Sequence, residues 1–118
     1  MQYLLLIYDN ESQLDTMTPE AQGKLFQEYG TFTQEIAASG HYKGGNALHP
    51  VAKATTVRVR EGKRLTTDGP FAETKEQLGG YYLIEAADLD EATAIAARVP
   101  SARLGSIEVR PVMVMTHP

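Results

Sequence analysis

The chain reads as an α+β protein, an antiparallel sheet with two helices packed on one face. Apolar runs bounded by turn residues recur at both ends and in the middle of the sequence, as strands do. Two stretches of helical periodicity separate them, giving the order strand, helix, strand hairpin, strand, helix, strand. A length of 118 residues fits one domain spanning 1–118 and leaves no room for separate catalytic and binding domains.

Tyr3-Leu4-Leu5-Leu6-Ile7-Tyr8 is a continuous apolar run ended by Asp9-Asn10, the pattern of a central strand buried on both faces. A polar connection follows. Thr18-Pro19-Glu20 then has the makings of a helix start: a hydroxyl N-cap, a proline whose missing N–H costs nothing, and an acid near the positive end. Leu25, Tyr29, Phe32 and Ile36 recur at spacings of four, three and four and share one helical face. Gly40 supplies the stop.

His41 to Pro50 contains Gly44-Gly45-Asn46, lacks periodicity and reads as a loop. From Ala54 to Arg60, Thr55, Val57 and Val59 alternate with Thr56, Arg58 and Arg60, as in a strand with one wetter face. Glu61-Gly62-Lys63 is a tight turn, and Arg64 to Thr67 returns as a short strand. Asp68-Gly69-Pro70 stops it, because proline cannot donate to a ladder. Gly80 to Ala86 is β-rich and apolar on both faces, another interior strand. Asp88 and Glu91 form an acidic capping box for a second helix carrying Ala92, Ile95, Ala96 and Val99, ended by Pro100. Ile107 to Met115 reads as a long final strand.

Two helices cover one sheet face, yet both the first strand and the Tyr81–Ile84 strand are apolar on both sides. A second subunit placed sheet to sheet would cover the remainder, so a homodimer is expected.

Fifteen acidic residues against eleven basic ones leave a net charge of −4. Lys and Arg are scattered apart from the group Arg58, Arg60, Lys63 and Arg64. Such a chain repels phosphate backbones, so no nucleic-acid partner is expected. The absence of cysteine removes disulfides, Cys-ligated zinc, iron–sulfur clusters and thiol nucleophiles. The apolar N-terminal run lacks a basic leader and is too short to span a bilayer, so a cytoplasmic location with no membrane partner is expected.

The most distinctive stretch is Asp68-Gly69-Pro70-Phe71-Ala72-Glu73-Thr74-Lys75-Glu76, followed by Gln77-Leu78-Gly79-Gly80-Tyr81-Tyr82. It resembles the signature of the DGPF branch of the YCII-related proteins, small bacterial domains. Gly44-Gly45 with Ala54-Thr55-Thr56-Val57-Arg58, and Pro100-Ser101-Ala102 with Ile107-Glu108-Val109-Arg110-Pro111, resemble further family segments. The resemblance implies the ferredoxin-like two-layer sandwich (β-α-β-β-β-α-β) of the dimeric α+β barrel superfamily. The better-known YCII branch is associated with a His–Asp pair, the His in the first helix and the Asp before a proline after the second. Here the helix from Pro19 has no histidine, and Val99 precedes Pro100. That pair does not carry over.

Asp68, fixed at a strand end by Gly69 and Pro70, is the candidate acid, base or ligand anchor; its plainer role is to accept local backbone N–H bonds in the turn. Phe71 is expected to turn inward as the apolar anchor of the loop. His41 and His49 bracket the glycine-rich segment and could join a proton relay, although their spacing matches no metal-ligand motif and His117 lies in the tail. Arg58 could hold an anion and Tyr81 could orient a ligand carbonyl; a solvated strand face and core packing are their plainer roles. No metal and no cofactor are expected, and no dinucleotide, phosphate-loop or Ser–His–Asp pattern is present.

The leading expectation is a homodimeric small-molecule-binding domain, with its ligand between sheet and helices or at the Asp68 rim. A cofactor-free acid–base enzyme acting on a small aromatic or enolisable compound through Asp68 is the alternative. The resemblance adds a third, an accessory protein of an extracytoplasmic-function sigma-factor pathway.

Overall fold

The computed structural model describes residues 1–115, so His117 lies outside the described residues. In chain order the elements are β1 (Gln2–Asp9), α1 (Glu11–Asp15), α2 (Pro19–Ala38), β2 (Tyr42–Ala47), β3 (Thr55–Arg60), β4 (Lys63–Asp68), β5 (Gln77–Glu85), α3 (Leu89–Ala96) and β6 (Ser106–Pro111). Short 3₁₀ turns occupy Val51–Lys53 and Pro100–Arg103. The main sheet is antiparallel with the order β2-β5-β1-β6, a ferredoxin-like arrangement, and β3 with β4 forms a separate two-stranded sheet.

Strand alternation sets the core. Tyr3, Leu5 and Ile7 of β1 are buried under the helices, whereas Leu4, Leu6 and Tyr8 face the other way and are half-buried. Against the first set pack Tyr82 and Ile84 of β5, Phe32 and Ile36 of α2, and Ala92 and Ile95 of α3. The Phe32 and Tyr82 rings meet edge to face at 5.3 Å, a geometry that aligns their quadrupoles.

The helix starts follow their caps. Thr18 Oγ1 accepts from the Ala21 N–H at 3.1 Å, and Asp88 Oδ1 accepts from the Glu91 N–H at 2.9 Å. Each such bond stabilises by about 1 kcal/mol. Gly40, at φ +84°, terminates α2 where a side chain would strain.

Four sequence expectations need correction. The loop expected over 41–50 is largely edge strand β2, paired with β5. Its glycines hide the strand from a hydrophobic-pattern reading, yet Gly45 is needed there: a Cβ would lie 2.8 Å from the Tyr81 carbonyl oxygen. The connection after Asp9 contains α1, capped by Asn10, whose Oδ1 accepts from the Gln13 N–H at 3.3 Å. The β3–β4 hairpin stands apart from the main sheet rather than extending it. β6 ends at Pro111, not Met115, because Tyr3↔Pro111 and the Val112 N–H bond to Gln2 bring it to the start of β1, beyond which no partner strand lies among the described residues.

Candidate functional site

A cavity of about 360 Å³ lies between α2 and the sheet. Leu14, Leu25, Phe26 and Tyr29 wall it on the helical side, and Ile7, Asp9, Gly45 and Gly79 on the sheet side. Asp9 is there because it follows Tyr3, Leu5 and Ile7 in strict alternation, which carries a carboxyl onto the core face at 8% exposure. Tyr29 occupies the inner stripe of α2, and Ser101 closes the end of the cavity from the 3₁₀ turn after Val99.

Opposite Asp9 the β1–β5 register slips: Ile7 pairs with Gly80 but Tyr8 with Leu78, leaving Gly79 as the extra residue of a bulge. A Cβ on Gly79 would sit 3.8 Å from Asp9 Oδ2, so the glycine keeps the space beside the carboxyl open.

The polar groups form a chain. Ser101 Oγ donates to Asp9 Oδ2 at 3.2 Å, and the Tyr29 hydroxyl lies 2.5 Å from Ser101 Oγ. With the Ser101 proton committed to Asp9, Tyr29 is the donor in the second contact. Asp9 Oδ1 is buried and has no hydrogen-bond partner among the described residues. Burial raises the Asp9 pKa above its ordinary 3.8, the Ser101 bond pulls it back, and the charge of Glu76 adds to the rise. Tyr29 is pushed up to about 12, chiefly by burial. Tyr82, bonded to Thr33 at 2.7 Å, is likewise raised by burial. Among the described residues no Lys, Arg or His lines this cavity.

A second cavity of about 670 Å³ is bordered by Tyr8, Leu48, His49, Val51, Phe71 and Leu78. Its walls are mostly apolar, with His49, Lys53, Thr74 and Gln77 among them, and Phe71 is 78% exposed. The inward anchoring expected of Phe71 does not occur, because the segment around it has no described element packed over it.

The residues singled out from sequence are dispersed. Asp68 ends β4 opposite Thr55, exposed and outside both cavities, and its side chain accepts no hydrogen bond among the described residues. The turn is held instead by backbone and hydroxyl: Gly69 N–H donates to Ala54 O at 2.7 Å, and Thr56 Oγ1 donates to Gly69 O at 2.9 Å. His41 bridges Ser39 Oγ, 2.6 Å from its Nδ1, and Glu91 Oε1, 3.1 Å from its Nε2, tying the end of α2 to the start of α3. Arg58 is exposed on the hairpin opposite Leu65. The Tyr81 hydroxyl accepts from Asn46 at 2.7 Å. His49 and Phe71 share the second cavity. Among the described residues no group of three or more His, Cys, Asp or Glu could hold a metal ion.

By sequence Asp9 reads as a strand boundary and Tyr29 as part of the apolar face of its helix, and nothing local marks Ser101 as a site residue. The available signal was phase: Asp9 falls on the same parity as the buried residues of β1.

A family model described as the YCII-related domain matches residues 1–116. An uncharacterised protein of Rhizobium meliloti (strain 1021) is 37% identical over 113 residues, covering 94% of this chain and 91% of its own length. Among solved structures, 5-chloro-2-hydroxyhydroquinone dehydrochlorinase from Burkholderia phenoliruptrix AC1100, in complex with 2,5-dihydroxybenzoquinone, superposes with a TM-score of 0.56. It shares 15% identity, with 96% of this chain and 94% of that one covered. That likeness is one of fold.

Proposed function

The chain belongs to the YCII-related domain family, and we propose that it is a small-molecule-binding protein whose ligand lies between α2 and the sheet, against Asp9. The carrying observation is a buried carboxyl, one oxygen bonded to Ser101 and the other without a partner among the described residues, in a largely apolar cavity that Thr33, Asn46, Tyr81 and Tyr82 also line. An unpaired buried acceptor is costly, and a ligand hydroxyl or N–H would relieve that cost. With no cation among the described residues of the walls, a carboxylate or phosphate would face Asp9 uncompensated. The ligand class is therefore a compact, mostly apolar molecule that is uncharged and carries a hydrogen-bond donor. This class rests on the cavity and not on the fold neighbour's quinone.

In this reading the protein is a member of the DGPF branch and works as a homodimer, joined through the sheet face that bears Leu4, Leu6 and Tyr8. Two-sided apolar strands with helices on one side support that assembly. A second reading, an acid–base enzyme on the same class of compound, is favoured by the raised pKa of Asp9. It moves the acid–base role from Asp68 to Asp9, which has both the burial and the cavity.

Calorimetric titration with matched pairs, a phenol against the corresponding benzoate, tests the reading. Phenols are expected to bind, benzoates to bind at least about tenfold more weakly, a difference of about 1.4 kcal/mol. Asp9→Asn and Gly79→Ala should both weaken the phenol. Preference for benzoates, or phenol binding indifferent to both substitutions, would overturn the proposal.

A further inference from the structure

We infer that the side chains of the cavity at Asp9 offer a ligand only hydrogen-bond acceptors, that Thr33 sets this polarity through Tyr82, and that the ligand carries two donors and no carbonyl. That specificity rests on the reading of the cavity as a ligand site and adds the direction in which each hydrogen bond runs. A hydroxyl can both donate and accept, so its direction is fixed only by its partners. Here the partners fix it. Thr33 Oγ1 lies 2.8 Å from the Tyr29 carbonyl oxygen and 2.7 Å from the Tyr82 hydroxyl. A carbonyl oxygen only accepts, so the single Thr33 proton goes to Tyr29. The Tyr82 hydroxyl must then donate to Thr33 Oγ1. At the Asp9 end, Ser101 Oγ donates to Asp9 Oδ2 and the Tyr29 hydroxyl donates to Ser101 Oγ.

The hydroxyl protons of Tyr29, Thr33, Tyr82 and Ser101 are all committed to protein partners. What remains for a ligand is Asp9 Oδ1 and the spare lone pairs of the two phenol oxygens. Asn46 and Tyr81 also border the cavity, but they do not change this. Tyr81 alternates with the buried Tyr82, and Asn46 pairs with Tyr81, so both side chains leave on the opposite sheet face. There the Asn46 amide donates to the Tyr81 hydroxyl at 2.7 Å. Ile7, Leu14, Leu25 and Phe26 have no polar atoms to offer. Among the described residues, no side-chain donor is left to receive a ligand carbonyl. A carbonyl oxygen buried here would lose its water and find no side chain to replace it, whereas a hydroxyl or N–H finds an acceptor at Asp9 and at the phenols. A volume of about 360 Å³ suits one substituted ring. The class is therefore a monocyclic compound with two donors, such as a hydroxybenzyl alcohol, and the corresponding aldehydes, ketones and quinones are rejected. Thr33 acts as a positioning residue, because it holds the Tyr82 proton away from the ligand.

Calorimetric titration of 3-hydroxybenzyl alcohol against 3-hydroxybenzaldehyde tests this, since only the alcohol can donate from its second oxygen. The wild type is expected to bind the alcohol at least about tenfold more tightly. Thr33→Val keeps the shape of the side chain but removes the acceptor of the Tyr82 proton, which is then free to meet a ligand carbonyl. The aldehyde should gain at least about fivefold relative to the alcohol in that variant, and Thr33→Ser should keep the wild-type ratio. Tyr82→Phe leaves the ring packed on Phe32 and removes the oxygen, so the ratio should fall to within about threefold without any change to α2. An aldehyde bound as well as the alcohol by the wild type, or a ratio unmoved by Thr33→Val or by Tyr82→Phe, would overturn the inference. If Asp9→Asn still weakened both ligands in that event, the cavity would stand as the ligand site and only its polarity would be wrong. Indifference of both ligands to Asp9→Asn would remove the site itself.

Discussion

Ser101 reaches across 92 positions of sequence to donate a 3.2 Å hydrogen bond to Asp9. The bond locks the end of β1 to the turn after α3, and through Ser101 it extends to Tyr29 on α2. Sheet and both helix-bearing segments are therefore coupled at one buried carboxyl, and the first predictions concern that point.

Asp9→Asn should change how stability depends on pH. Burial raises the folded pKa above the ordinary 3.8, so the folded state holds the proton more tightly than the unfolded chain. The wild type therefore loses stability as pH rises from the unfolded value to the higher folded one, and the loss is constant above that window. The asparagine has no such slope. Thermal melts should give a variant-minus-wild-type difference that is more positive at pH 7 than at pH 3. An equal difference at both values would show that the carboxyl is not held up by its surroundings.

Tyr29→Phe removes one buried donor and should cost about 1 kcal/mol. Its spectroscopic effect is sharper. The Tyr29 phenol is pushed up to about 12, so near pH 10 it remains protonated and contributes no phenolate absorbance. Ultraviolet titrations of wild type and variant should coincide there and separate only as pH approaches 12. Separation already at pH 10 would mean that the hydroxyl is solvated.

The parts of the fold that rest on local chemistry were legible in the sequence. Thr18 with Pro19, Asp88 with Glu91, Gly40, and the alternation of Val57 and Val59 each act through neighbours in the chain. What was hidden depends on pairing across the chain. Tyr42–Ala47 is a strand because β5 lies beside it, and its glycines carry no hydrophobic signal. Asp9 becomes a site through Gly79 and Ser101, both remote in sequence. The Asp68–Glu76 segment is chemically conspicuous, but Pro70, Phe71, Ala72 and Thr74 border the second cavity and none of its residues lines the cavity at Asp9.

Phe32 and Phe71 separate these two kinds of residue. Phe32 is 4% exposed and packs on Tyr82, so Phe32→Ala should cost about 3–5 kcal/mol. Phe71→Ala, at 78% exposure, should stay within about 0.5 kcal/mol in the isolated chain. Chemical denaturation measures both. A large loss at Phe71 that deepens with protein concentration would place that ring in the subunit interface.

Gly105 and Gly44 give the last contrast, because one holds the Asp9 strand end in place and the other does not. A Cβ on Gly105 would collide with the Tyr8 carbonyl oxygen and lie 3.2 Å from Asp9 Cα. Both obstacles are backbone, so neither can swing aside as a side chain would. Gly105→Ala must therefore displace the end of β1, at a cost of about 1–3 kcal/mol or more, and it should carry Asp9 away from Ser101. A Cβ on Gly44 would have nothing within 4 Å, and Gly44→Ala should be neutral within about 0.5 kcal/mol. If Gly105→Ala is destabilised but its pH dependence is unchanged from the wild type, both the burial that raises the Asp9 pKa and the Ser101 bond that lowers it have survived the shift. The coupling of strand end to carboxyl would then be looser than the close packing of Gly105 requires.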